Sequence, residues 1–242
     1  MSEDHLDIFM HVPKTGGTTL SAIFRKQYKP SEIFDHDSFQ YKVMKMDQLK
    51  AEEKRNIKAV AGHYFYGIHQ KFSPRPFNYF TMLRDPVDRV ISSYYFLKDY
   101  PGYEMVKDMT LEEFVVNGPE ASSLQTLLVC GSRKIPDIEK AKENLKTFTV
   151  VGVTELFNET LFCLKKEYSW GDIHYTRKNI TKNRLAKEEV PLDLINLIRK
   201  YNALDLELYD YAKKLLYEKL QSLTVDEQKQ LEKFKLEQSA LN

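Results

Sequence analysis

Short apolar runs alternate along this chain with longer segments whose apolar residues recur at helical spacing. The runs at 6–10, 58–61, 79–83 and 149–153 predict buried strands. Helices are predicted in the intervening and following segments, at 18–24, 47–56, 87–97, 104–117, 122–129, 137–148, 155–166 and within 192–220. Because strands alternate with helices, we expect an α/β fold in three layers, with a central, mostly parallel sheet flanked by helices.

The turn at 11–19, His-Val-Pro-Lys-Thr-Gly-Gly-Thr-Thr, follows the first predicted strand and leads directly into a helix. Backbone N–H groups at a glycine-rich turn and a helix N-terminus attract anions, and a lysine and hydroxyls add further donors. The candidate phosphate ligands are Lys14, Thr15, Gly16, Gly17, Thr18 and Thr19. In a Walker A loop the lysine follows the glycines, whereas here it precedes them, so this is not the usual ATP or GTP loop.

A second candidate anion site follows the strand at 79–83. Arg84 lies at the carboxyl end of that strand, where open parallel sheets bind ligands. Ser92 comes eight residues later, about two helical turns on, so both side chains can face one phosphate. The alternatives are a salt bridge at the strand end for Arg84 and a solvated helix position for Ser92.

The residues after Arg84 specify a helix start. Asp85 is expected to be the N-cap and Pro86 the first helical residue. The carboxylate of Asp88 is expected to accept from the backbone N–H of Asp85, in a pair that resembles a capping box.

Together these two segments resemble the sulfotransferases that use 3′-phosphoadenosine 5′-phosphosulfate (PAPS), in particular the Golgi-type branch with heparan sulfate 2-O-sulfotransferase and uronyl sulfotransferases. The resemblance is carried by residues 12–19 and by residues 83–86, 89 and 92–95. No metal is expected, because lysine and backbone dipoles can supply the charge stabilisation and no acidic strand end like that of a Walker B motif stands out. The resemblance implies a P-loop-like fold and PAPS as co-substrate. It also implies that Lys14 contacts the transferring sulfuryl group, and that Arg84 and Ser92 hold the 3′-phosphate.

His63 is the candidate general base. It follows the short strand at 58–61, beside the same crevice, and an acceptor hydroxyl must lose a proton during transfer. The resemblance implies a catalytic histidine in this Gly-His pair, although Ala61 stands where many relatives carry another histidine. A hydrogen-bonded core histidine is the alternative. His11 is the rival base, but its place after a buried strand favours a structural role.

The most basic segment of the chain lies at 175–184. The resemblance implies a loop that closes over the nucleotide, with Arg177 and Thr181 as candidates for the 3′-phosphate. Lys182 and Arg184 could instead meet an anionic acceptor, and a solvated basic loop is the remaining alternative.

Composition agrees with one compact catalytic domain. The 242 residues are 42% hydrophobic, enough for a core without disulfides or metal, and Cys130 and Cys163 are expected to be buried free thiols. Lys and Arg number 36 against 35 Asp and Glu, which argues against a nucleic-acid partner. We expect a catalytic domain at 1–220 and a helical tail at 221–242, either a peripheral helix or a homodimer contact.

The amino terminus is polar and acidic, and no apolar stretch reaches transmembrane length. These features favour a soluble cytoplasmic protein without an integral membrane segment, as in bacteria. The alternative is an excised lumenal domain of a Golgi enzyme.

The sequence thus predicts sulfuryl transfer from PAPS to an acceptor hydroxyl, and the resemblance favours a carbohydrate acceptor. One alternative is a divergent P-loop nucleotide kinase or NTPase, which would need ATP and Mg²⁺. Another is a nucleotide-binding protein that keeps the fold without turnover.

Overall fold

A parallel sheet forms the centre of the molecule. The computed structural model describes residues 5–35, 46–72, 74–176 and 185–241. Within these residues the sheet has five strands in the order β2-β3-β1-β4-β5, and every neighbouring pair is parallel. The strands are β1 (Leu6–Met10), β2 (Ile33–Asp35), β3 (Ala59–Gly62), β4 (Phe77–Leu83) and β5 (Val150–Val153). The predicted three-layer α/β fold is confirmed, while β2 was not predicted.

Helices connect the strands and flank the sheet. They are α1 (Gly17–Arg25), α2 (Ala51–Asn56), α3 (Pro86–Lys98), α4 (Glu104–Lys107), α5 (Leu111–Asn117), α6 (Leu124–Cys130), α7 (Ile138–Lys146), α8 (Phe157–Tyr168), α9 (Leu192–Tyr201), α10 (Ala203–Gln221) and α11 (Val225–Ser239). The prediction of one helix at 104–117 is wrong. Thr110 starts a new helix there, because its hydroxyl accepts from the N–H of Glu113 and the Glu113 carboxylate accepts from the N–H of Thr110.

The strand register places four polar residues at one edge of the sheet. Met10 pairs with Gly62 and with Thr81, and Leu83 pairs with Val153. The residues that follow the ends of β1, β3, β4 and β5 are His11, His63, Arg84 and Thr154. Since the carboxyl ends of parallel strands meet at one edge, this edge is the natural place for a ligand site.

A buried core stabilises the sheet. β1, β3 and β5 are buried along their whole length, and Phe9 stacks on Phe80 with ring centroids 5.0 Å apart. Asp7, the one charged residue of β1, is buried but accepts a hydrogen bond from the Tyr28 hydroxyl at 2.6 Å and from Asn78 at 3.1 Å. Its charge is therefore compensated by hydrogen bonds.

A second hydrophobic cluster supports α3. It joins α3 to α4, α5 and α9 through buried residues such as Val90, Ile91, Phe114 and Ile198.

The two cysteines are both free: Cys163 is buried, but Cys130 is only partly buried, contrary to expectation. Among the residues that the structure describes, none of the helices has the length and apolar character needed to cross a membrane.

Candidate active site

The turn between β1 and α1 has the shape of an anion-binding loop. Gly16 has a φ of 82° and Lys14 a φ of 67°, so the backbone turns sharply before the helix. The buried hydroxyl of Thr15 donates to the carbonyl of Val12 at 2.8 Å, which ties the turn to the end of the strand. Thr19 is buried, whereas Gly16 and Thr18 are exposed. The part of the loop that can meet a ligand is therefore formed by Gly16, Thr18 and the half-buried Lys14.

Gly17 is needed for a different reason. A Cβ atom at this position would lie 1.8 Å from Nε2 of His11 and 2.0 Å from its Cδ2, far inside van der Waals contact. The ring of His11 thus occupies the space that a side chain at Gly17 would need. Gly17 is the place where this histidine meets the first turn of α1.

His11 is enclosed beneath the loop. Its ring is 6% exposed, stacks on Phe9 with centroids 5.3 Å apart and lies 4.3 Å from the ring of His63. Burial, with the nearby charges of His63, Lys14 and Arg25, holds the pKa of the His11 imidazole well below its ordinary value. His11 is therefore neutral at physiological pH. Among the described residues its Nδ1 has no hydrogen-bond partner.

His63 is exposed, and its orientation is fixed by one hydrogen bond. Its Nδ1 lies 2.8 Å from the backbone carbonyl of His11. Because a carbonyl oxygen only accepts, Nδ1 must carry the proton, and in the neutral ring Nε2 keeps its lone pair. The structure thus presents the unprotonated nitrogen of His63 away from the β1 backbone.

Arg84 joins the loop to the start of α3. Its Nη1 donates to the carbonyl of Lys14 at 3.2 Å, and its Nη2 lies 3.7 Å from Asp88. Two cations from segments 70 residues apart are therefore held at the same edge of the sheet. The side chain of Arg84 is 16% exposed, so water and salt screen its charge less than they screen a surface charge.

The backbone of Arg84 is held from outside its own element. Gln125 of α6 accepts from the Arg84 N–H and donates to the Arg84 carbonyl, both at 3.0 Å. Asp205 of α10 in turn accepts from the N–H groups of Gln125 and Thr126 at 3.1 and 2.8 Å. Gln125, Thr126 and Asp205 are all fully buried.

Asp85 caps α3 as predicted, because its carboxylate accepts from the N–H groups of Val87 and Asp88, both at 3.0 Å. The predicted role of Asp88 is wrong. The N–H of Asp85 donates to Glu155 at 3.1 Å instead, and the Asp88 carboxylate lies near Arg84. The carboxylate that completes this helix start comes from the segment after β5.

The ammonium of Lys14 lies on an aromatic ring. Its Nζ is 3.8 Å from the ring centroid of Phe96 on α3, a cation–π contact. Ser92, one turn earlier on the same helix, is 4% exposed. The face of α3 that carries Ser92 and Phe96 is therefore turned toward the loop.

Thr154, directly after β5, closes the other side of the loop. Its hydroxyl lies 2.9 Å from the carbonyl of Thr15 and 3.0 Å from the carbonyl of Leu83, so it bridges the loop and the end of β4. Neither Thr154 nor Gln125 was among the predicted site residues. Thr154 carried a signal, since it is a polar residue just after a predicted strand, whereas nothing in the sequence pointed to Gln125.

Arg177, Thr181, Lys182 and Arg184, the candidates in the basic segment, lie outside the described residues.

Comparison with known proteins gives a family and several relatives. A sequence model described as the sulfotransferase family matches residues 1–212. The chain is 26% identical to heparan-sulfate 6-O-sulfotransferase 1 of Cricetulus griseus, in an alignment that covers 91% of this chain and 69% of that protein. It is 24% identical to heparan-sulfate 6-O-sulfotransferase 2 of Gallus gallus, in an alignment that covers 97% of this chain and 72% of that protein. These relatives are named as 6-O-sulfotransferases, whereas the motifs suggested the 2-O branch.

Proposed function

Because the chain belongs to the sulfotransferase family, we propose that it transfers a sulfuryl group from PAPS to a hydroxyl group of a saccharide. The relatives with heparan sulfate in their names support a saccharide acceptor. Their level of identity, 24–26%, supports the class of acceptor more than the position that is sulfated.

The observation that carries the proposal is the hydrogen bond from Arg84 to the carbonyl of Lys14. PAPS has two separate anionic groups, a 5′-phosphosulfate and a 3′-phosphate. The loop that carries Lys14 and the strand end that carries Arg84 provide two cationic groups, and this bond fixes one relative to the other. The donors fit such a ligand: Lys14, Arg84, the exposed Thr18 hydroxyl and the N-terminus of α1.

In this proposal the residues of the chain have distinct roles. Bound PAPS supplies the sulfuryl group, whose sulfur exchanges its bond to the nucleotide phosphate for a bond to the acceptor oxygen. Lys14 and the N–H groups at the start of α1 stabilise negative charge, so the proposal requires no metal. Arg84 holds the 3′-phosphate, with Ser92 beside it. Nε2 of His63 accepts the proton of the acceptor hydroxyl, and the carbonyl of His11 keeps the ring in the required tautomer.

Calorimetric titration separates this proposal from its alternatives. Adenosine 3′,5′-bisphosphate should bind more tightly than adenosine 5′-monophosphate or ATP with Mg²⁺. Labelled PAPS should then pass its label to a saccharide such as a desulfated heparan oligosaccharide. Tighter binding of ATP would favour a kinase or NTPase. Binding of the bisphosphate without transfer to any saccharide would favour a nucleotide-binding protein without turnover.

A further inference from the structure

The last helix, α11, lies beyond the part of the chain that matches the family, which ends at residue 212. Leu231 and Phe234 of this helix are buried against the core, and Lys235 pairs with Glu159 of α8 at 3.1 Å. Near its end, Gln238 is 1% exposed. A buried glutamine at the end of a chain must have its amide satisfied by hydrogen bonds, and its partners indicate what the helix does.

Gln238 holds the backbone of one distant residue. Its Oε1 accepts from the N–H of Tyr175 at 3.1 Å, and its Nε2 donates to the carbonyl of Tyr175 at 2.6 Å. The preceding residue, His174, packs against the same helix, with its ring 5.5 Å from that of Phe234. The segment that contains Tyr175 is thus fixed in position by α11.

Tyr175 in turn fixes the start of α8. Its hydroxyl donates to Oδ1 of Asn158 at 2.9 Å, and its ring packs edge-on against Phe157 at 5.0 Å. Phe157 and Asn158 are the first two residues of that helix. The backbone of Tyr175 is therefore bonded to α11 and its side chain to α8, so this residue links the two helices.

Phe157 lies beside the phosphate loop. A Cβ atom at Gly16 would be 3.3 Å from Cε2 of Phe157, a closer approach than ordinary van der Waals contact. The ring therefore stands next to Gly16, with no room for a side chain between them. The contacts that begin at Gln238 run through Tyr175 to Phe157, and Phe157 borders the loop at Gly16.

We propose that α11 is a positioning element of the nucleotide site and that Gln238 is its positioning residue, acting through Tyr175 and Phe157 on the loop at Gly16. The helix then has a role in binding, and the role does not require a second subunit. This inference rests on the proposed function for its ligand, but the loop itself can be observed without ligand.

The decisive variant is Gln238→Met in the full-length chain, which keeps the length of the side chain and removes both hydrogen bonds. Leu236→Ala, at a position 73% exposed on the same helix, is the matched control. Leu231→Val is the control for packing, because it weakens the contact of α11 with the core and leaves the amide of Gln238 in place. The two readouts are hydrogen exchange of the loop amides at 15–19 in the free protein and the affinity for adenosine 3′,5′-bisphosphate.

In Gln238→Met we expect faster exchange of the loop amides and a bisphosphate affinity lower by about threefold to tenfold. This loss is smaller than the full contribution of two hydrogen bonds, because they act on the loop indirectly. Leu231→Val should lower the thermal midpoint without either change, and Leu236→Ala should resemble the parent. The effects of Gln238→Met and Phe157→Leu on affinity should not add, because both act along one path.

Two results would overturn the inference. One is loop exchange in Gln238→Met equal to that of the parent. The other is a change in Leu231→Val as large as in Gln238→Met, which would mean that general loosening of the helix is the cause. A parent that binds no bisphosphate would refute the proposed function, and the exchange measurement would still decide on the role of Gln238.

Discussion

The side-chain amide of Gln125 pairs with both polar backbone groups of Arg84, accepting from its N–H and donating to its carbonyl at 3.0 Å each. Arg84 is the first residue after β4, where the backbone leaves the sheet and has no neighbouring strand to bond. Gln125 takes the place of that neighbour. Since Asp205 fixes the backbone of Gln125 in turn, the direction of the Arg84 side chain is set by α6 and α10 as well as by its own strand.

The first prediction concerns this pairing. Gln125→Met removes both hydrogen bonds at a fully buried position and leaves polar groups of Arg84 unpaired, so the free energy of unfolding should fall by about 1–3 kcal/mol. Affinity for adenosine 3′,5′-bisphosphate should fall as well, because Arg84 loses its fixed direction. Urea unfolding and calorimetry measure the two effects, with Gln230→Met at an exposed position as control. Unchanged affinity in a folded Gln125→Met protein would contradict the role assigned to Gln125.

The second prediction concerns Arg84 itself. Arg84→Ala should weaken adenosine 3′,5′-bisphosphate by about one to two orders of magnitude, the worth of a charge-assisted hydrogen bond of roughly 1.5–3 kcal/mol. Adenosine 5′-monophosphate, which lacks the 3′-phosphate, should be affected little. Arg84→Ala also removes the bond to the Lys14 carbonyl, so a small common loss for both nucleotides is expected. Equal losses by calorimetry would mean that Arg84 only supports the loop.

The sequence was sufficient to predict four of the five described strands and the edge of the sheet where the candidate site lies. Each of the apolar runs before His11, His63 and Arg84 is a buried strand, and polar residues directly after such runs come together once the strands are parallel. β2 was not predicted because its three residues, Ile33–Asp35, are too few to show a pattern.

The residues that hold the site in place could not be predicted. Gln125 meets Arg84 across 41 residues of sequence, and Gln238 meets Tyr175 across 63. A glutamine on a helix has no local feature that shows whether its amide will be buried or solvated. Glu155 similarly replaced Asp88 at the start of α3, because the end of β5 lies beside the end of β4.

The third prediction isolates the charge of Lys14. Lys14→Met keeps most of the aliphatic side chain and removes the ammonium that lies over Phe96. If Lys14 stabilises charge that develops on the transferring group, kcat should fall by about a hundredfold or more. The affinity for the bisphosphate product, which has no sulfuryl group, should change much less. Lys26→Ala, at an exposed position just after α1, is the control. A kcat within a few-fold of the parent would limit Lys14 to a structural role.

The fourth prediction tests the contact between Gly17 and His11. Gly17→Ala should cost about 1–3 kcal/mol of stability, because the new methyl group overlaps the ring of His11, which is stacked on Phe9 and has little room to move. In a His11→Ala background the same substitution should cost far less, since the ring is gone.

Gly16→Ala is the matched control for this cycle. Its cost comes from the positive φ of 82° and from the close approach to Phe157, neither of which involves His11, so it should be the same with and without His11. Urea unfolding of the parent, the single variants and the double variants measures the free energy of unfolding of each protein, from which both cycles are calculated. Additive costs for Gly17→Ala and His11→Ala would show that the overlap is not the cause.

The last prediction is that His63 is the general base. His63→Ala should lower kcat by about two to four orders of magnitude, because the acceptor hydroxyl loses its proton acceptor. Folding and bisphosphate affinity should be retained, since His63 is exposed and its ring is hydrogen-bonded to the backbone carbonyl of His11.

His11→Leu is the control that separates the two histidines. His11 is buried against Gly17, out of reach of an acceptor, so kcat of a folded His11→Leu protein should stay close to that of the parent. Because His63 is exposed, added imidazole should reach the space left in His63→Ala and restore part of the lost kcat. A near-parent kcat in His63→Ala, together with a large loss of kcat in His11→Leu, would assign the base to His11 instead.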